Sequence, residues 1–143
     1  MGIWETWQPQ RFFYLFIGVA FLLVWVQVVL FHWRGAFRRI PMWAPVLFSP
    51  LLAIMGIVFA FFYGGIINWF FVIIFGIGAL EGLIGTYLHF DGVRRSIGGF
   101  TLRNFMAGPP VILPVVFMAL AAAALVLFFI WPGPAGGLDA DLH

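Results

Sequence analysis

Two kinds of side chain in this sequence could do chemistry inside an apolar environment: one carboxylate, Glu81, and a pair of imidazoles, His32 and His89. Glu81 lies near the middle of a long apolar run, Ile67 to Phe90, where a charged and unpaired acid costs several kcal/mol. Such an acid is neutral, paired or beside water. Its functional form is a proton or cation step; its structural form is a neutral carboxyl hydrogen-bonded across helices. Gln27, at similar depth in the first apolar run, is the buried polar partner the sequence offers, with Thr86 and Tyr87 nearer the interface on Glu81's own helix.

The imidazoles end two such runs. His32 opens HWRGAFRR and His89 opens HFDGVRR, so histidine, aromatic, any residue, glycine, small residue and an arginine pair recur once one residue is skipped. Further on, APVLFSPL from Ala44 resembles PPVILPV from Pro109. The pattern predicts a duplicated helical hairpin. Its two copies are parallel, related by a pseudo-twofold axis along the membrane normal. Neutral histidines at matched height on two helices are what bis-histidine ligation of a b-type haem requires. Gly85, four residues before His89, would equally suit a chlorophyll-type pigment. At about 100° per residue, Gly78, Gly82, Gly85, His89 and Gly92 fall on one stripe, bare backbone against which a helix or a flat ring can lie. Trp25 and Val28 make the corresponding face before His32 bulky, so only one copy carries the glycine surface. The plainer reading makes both histidines interfacial caps and Gly78, Gly82 and Gly85 a helix-packing face.

Other chemistries are poorly supplied. Three histidines and Asp91 fall short of a convergent zinc site, and the absence of cysteine removes disulfides, thiolate metal sites and cysteine nucleophiles. No hydrolase triad pattern and no phosphate-binding glycine loop occurs. The aromatic share of 20% reads as packing surface before it reads as a quinone site.

The elements that position these residues follow from composition. With 64% hydrophobic and 8% charged residues and a mean hydropathy of +1.11, a 143-residue chain has more apolar surface than a soluble core of its size can hide. The expected fold is an all-α integral membrane protein of four transmembrane helices over about 12–33, 45–63, 67–90 and 110–131, one bundle followed by a disordered tail over 132–143. Pro45 and Pro50 place a kink early in the second helix, and Gly64 with Gly65 makes the turn into the third. Thr101 is positioned to cap a short interfacial helix over TLRNFM, and Ala121 to Ala124 give the last span a slim waist. Trp4 and Trp7 read as interface anchors, and the first residues lack the basic start and cleavage site of a secretory signal.

Arg34, Arg38 and Arg39 fall in the first connection and Arg94, Arg95 and Arg103 in the third. By the positive-inside rule both connections face the cytoplasm and both termini face the periplasmic side of a prokaryotic inner membrane; Arg11, beside Glu5, runs against this. The arginine pairs mark topology and can hold lipid headgroups, and nothing in them points to nucleic acid. A chain that is nearly all helix surface, with almost no loops, is expected to be a non-catalytic accessory or anchoring subunit whose partners are the bilayer and other membrane subunits, a respiratory or redox complex among them. The alternatives are a haem or pigment protein using His32 and His89, and a small proton-coupled carrier using Glu81.

Overall fold

A computed structural model describes residues 2–131, so the tail over 132–143 lies outside the described residues. Within them, four helices are long and apolar enough to cross a membrane: α1 (Pro9–Arg34), α2 (Trp43–Phe59), α3 (Ile66–Arg94) and α5 (Ile112–Ile130). A short α4 (Leu102–Ala107) separates the last two. In hydrocarbon no water satisfies a free peptide group, so runs of Phe, Leu, Ile and Val become helices that close every hydrogen bond on themselves. The described residues are all-α in class, with four helices of membrane-spanning length and apolarity, in line with the class expected from composition.

The ends of the helices have local causes. Pro9 begins α1 at a position that needs no N–H, and Gly35 closes it, donating to the Phe31 carbonyl at 3.0 Å. A 3-10 turn, Ile40–Met42, leads straight into α2, and together they form a rod of 20 residues. At 1.5 Å per residue that is about 30 Å, one hydrocarbon thickness. The second span ends at Phe59 and not near Tyr63 as the hydropathy suggested, because β2 (Phe62–Tyr63) pairs antiparallel with β1 (Gly2–Ile3), Gly2 opposite Tyr63. Gly64 and Gly65, with φ of 90° and 54°, then turn the chain into α3. Thr101 caps α4 as expected, its hydroxyl accepting from the Asn104 N–H at 3.3 Å.

The spans pack as a ring in the order α1, α2, α3, α5. The α1/α2 and α3/α5 seams are tight and the other two are looser. At the first tight seam Gly18 meets Gly56, backbone on backbone: a Cβ built on Gly56 would stand 2.9 Å from Gly18 Cα. At the second, Gly82 lies against Met118, where a Cβ would stand 2.7 Å from its Cα. Ala121 and Ala124 are fully buried, so the alanine waist also faces inward. The middle of the ring is aromatic. Phe59 and Phe71 are 4.1 Å apart, Tyr14 meets Phe59 edge-on at 4.9 Å, and Phe21 meets Phe117 at 5.1 Å. These rings are the smaller part of the aromatic content; the larger part lies on the outer surface of the bundle.

Candidate functional site

Six of the seven arginines and both candidate histidines gather at one end of the bundle, where α1 and α3 finish and α2 and α5 begin. His32 and His89 are within electrostatic reach of each other there. Each is half-buried, and their surroundings differ. His32 is turned back toward the Val28 carbonyl one turn earlier in α1, and its ring lies 6.3 Å from that of Phe37. His89 Nδ1 donates to the Pro110 carbonyl at 3.0 Å. A carbonyl only accepts, so this bond puts the proton on Nδ1 and leaves Nε2 with the free lone pair. Asp91 is engaged by Arg94 at 2.8 Å and Arg95 at 2.7 Å, whereas Arg34, Arg38, Arg39 and Arg103 have no carboxylate partner among the described residues.

The His89 bond belongs to a device used twice. Pro50 lies inside α2 and has no N–H to give the Val46 carbonyl four residues back; the indole N–H of Trp25, on α1, reaches that carbonyl at 2.9 Å. Pro114 likewise offers no N–H to the Pro110 carbonyl, and the donor comes from His89 on α3. In each hairpin a return helix starts with prolines and the preceding helix supplies a ring N–H. His89 thus holds a helix junction whatever else it does.

The glycine stripe has an occupant. Gly82 is against Met118, a Cβ on Gly85 would come 3.2 Å from Pro114 Cβ, and one on Gly92 would come 2.9 Å from Pro109, all on α5 or the approach to it. Gly78 faces the Leu52 side chain of α2. A flat cofactor could lie on this face only by displacing α5. The expected Glu81–Gln27 pair is not formed. Glu81, at the middle of α3, has Oε1 buried without a hydrogen-bond partner among the described residues, and the residue as a whole is only partly exposed. Gln27 is exposed and not buried; it lines a groove of about 730 Å³ between α1 and α5 whose mouth is Arg34 and Pro110. Glu81 does not line the α1/α5 groove that Gln27 lines, and helix spacing alone could not tell which way each would face.

The opposite end holds the polar groups that sequence reasoning misplaced. Trp4 is no interface anchor: it is 5% exposed, and its indole N–H donates to the Phe59 carbonyl at 3.0 Å. Arg11 does not pair with Glu5. Its Nε donates to the Ala60 carbonyl at 2.7 Å, and its guanidinium lies 3.7 Å from the centre of the exposed Trp7 ring. A cation on the last carbonyls of α2 complements the negative end of that helix. Gln10 is 1% exposed, with its amide nitrogen on the Tyr14 hydroxyl at 3.3 Å and Oε1 without a partner. Asn68 accepts the Gly64 N–H at 2.7 Å. The signal that could have found this cluster was Arg11 itself, a cation on the wrong side for topology, next to a helix whose last carbonyls needed donors.

Chemically, the arginine-rich end can bind an anion and present two imidazole nitrogens; among the described residues no group of three or more His, Cys, Asp or Glu converges on a metal position. Comparison with known protein families, curated proteins and solved structures finds no match.

Proposed function

We propose that this chain is a non-catalytic accessory or anchoring subunit of a larger membrane assembly, with respiratory and redox complexes the hosts to examine first. The observation that carries the reading is Glu81. It stands at mid-membrane depth, partly exposed beside the outward-facing Leu80, Leu83 and Ile84; one carboxyl oxygen is buried without a hydrogen-bond partner among the described residues, and the rest of the group is open to the outside of the bundle. A polar group in that position calls for a donor from a neighbouring helix.

The same reading includes a duplicated hairpin with both termini on the periplasmic side. Burial supports the duplication at the offsets taken from the sequence. His89 minus His32 gives 57, and at that offset the buried residues Arg11, Tyr14, Gly18 and Phe21 of α1 match the buried Asn68, Phe71, Phe75 and Gly78 of α3. Pro109 minus Ala44 gives 65, and Leu52, Gly56 and Phe59 of α2 match the buried Phe117, Ala121 and Ala124 of α5. The orientation rests on the six arginines at one end, with Arg11 withdrawn from the balance by its bond to Ala60.

The test is purification of tagged chain from its native membrane in a gentle detergent, followed by a protein inventory and an absorption spectrum. The expected result is fixed-ratio recovery of other integral membrane subunits, retained in Glu81→Gln, which still hydrogen-bonds, and lost in Glu81→Leu. Recovery of the chain by itself sinks the accessory reading. A haem or pigment band that disappears in His89→Ala replaces it with cofactor binding, and vesicle uptake abolished by Glu81→Gln replaces it with proton-coupled transport.

A further inference from the structure

The connection between α3 and α5 carries apolar surface that the bundle does not cover. Within it α4 buries none of its residues. Leu102 and Met106, one turn apart on one face, are 79% and 81% exposed, and Ile97 and Phe100 ahead of the helix are exposed as well. The polar side of α4 is tied to its own loop, because the Asn104 amide reaches back to the carbonyls of Ile97 at 3.0 Å and Gly99 at 2.7 Å. Its depth is set by aromatic contacts. Phe105 stacks on Phe100 and meets Phe90 edge-on, each at 6.0 Å. Phe90 belongs to α3, is exposed on the outer flank of that span, and at 1.5 Å per residue stands about 6 Å below Arg94. The Phe105 ring therefore lies beside the end of α3 and not above it, and the apolar surface of the connection continues the flank that faces lipid.

Charge points the same way. Arg103 borders the apolar face, about 60° round the helix from Met106, and is exposed. It has no carboxylate partner among the described residues, whereas Arg94 and Arg95 share Asp91. A helix with an apolar face, a cation at its edge and nothing of its own chain beneath has the form that lies in a bilayer interface, with the long side chain reaching up to the phosphates. We propose that the α3–α5 connection is a bilayer-surface site: Ile97, Phe100, Leu102 and Met106 enter the headgroup–acyl boundary of the leaflet at the arginine-rich end, and Arg103 holds the phosphate of an anionic phospholipid. The site is independent of any accessory role. The first connection, a 3-10 turn that runs straight into α2, has no such helix.

The chain has no cysteine, so Ile97→Cys, Leu102→Cys and Met106→Cys each give a single attachment point for a nitrobenzoxadiazole fluorophore. Each labelled full-length chain is placed in nanodiscs of dioleoyl phosphatidylcholine containing a fixed share of nitroxide-bearing phosphatidylcholine or phosphatidylglycerol. Lipid nitroxide should quench all three labels, and aqueous iodide should leave them bright. The phosphatidylglycerol form should compete for the neighbourhood of the Met106 label with about a fivefold preference, the worth of one arginine at an anionic surface. Arg103→Gln should bring that ratio near one, and Arg39→Gln, in the first connection, should leave it unchanged. Far-UV circular dichroism checks that each variant keeps its helices, and the three label positions are read separately. Labels that iodide reaches and lipid nitroxide does not would overturn the proposal and leave the face to a soluble partner. Labels shielded from both quenchers would overturn it as well, in favour of a protein cover such as a second copy of the chain. A lipid ratio unchanged in Arg103→Gln, or lost equally in Arg39→Gln, would mean diffuse charge and no phosphate contact at Arg103.

Discussion

The first hairpin, α1 with α2, and the second, α3 with α5, solve one packing problem with different means. In the first, both helices contribute a glycine at the crossing, so Gly18 and Gly56 touch through their backbones. In the second, one helix supplies glycines, and Met118 and Pro114 of the other, with Pro109 on the approach to it, lie on them. Their basic connections differ in the same sense: Ala36 and Phe37 take positive φ of 58° and 47° in the first, whereas glycines 98 and 99 take it in the second. The donors that cover the freed carbonyls differ as well, Trp25 in one and His89 in the other. Two hairpins of one bundle therefore meet the same physical requirement, a close approach, a left-handed turn or a ring N–H, with different residues.

The largest expected effect tests the crossings. Gly56→Ala pushes a methyl against Gly18 Cα, with backbone on both sides and nothing flexible to yield, and should cost about 3 kcal/mol, the upper end of the range for overpacking. Gly85→Ala meets only the Pro114 ring at 3.2 Å and should cost under about 1 kcal/mol. Reversible unfolding by sodium dodecyl sulfate titration measures both; equal losses would mean that the two crossings are equally tight.

Next come the donors. Trp25→Phe leaves the Val46 carbonyl unsatisfied within the membrane, for an expected loss of about 2 kcal/mol. His89→Phe should lose about 1 kcal/mol, because the Pro110 carbonyl keeps a long bond from the Leu113 N–H at 3.4 Å. The same titration reads the order of the two, and a reversed order would assign His89 more than a junction.

The smallest effect concerns the connections. Ala36→Gly relieves a left-handed alanine and should gain about 1 kcal/mol, while Gly98→Ala, at φ of 88°, should lose a similar amount. Thermal unfolding in detergent resolves shifts of this size, and a loss in Ala36→Gly would show that the first turn is held by its flanking rings.

Hydropathy made the spans legible because lipid acts on every residue of a helix at once, and Thr101 was readable because a cap is a local device. The seam that each mid-span polar group faces was not readable. Glu81 and Gln27 have similar depth, and depth is all that a one-dimensional pattern gives; rotation and neighbour are set by which grooves interlock. Gly82 and Gly85 lie where α5 comes close, and Gly78 lies against Leu52 of α2; the identity of what approaches depends on a pairing between segments distant in the chain. Pro50 was a missed opportunity. A proline inside a membrane helix implies an open carbonyl at Val46, and a search for a donor at that depth leads to Trp25.

Trp4 reaches Phe59 across 55 positions, and β1 meets β2 only after α2 has been threaded. The first few residues can take up their final place only as a latch dropped over a finished hairpin. A bulky fusion at that end would leave the latch hanging, and the junction between the two hairpins would be the part to loosen, with the rods themselves still intact.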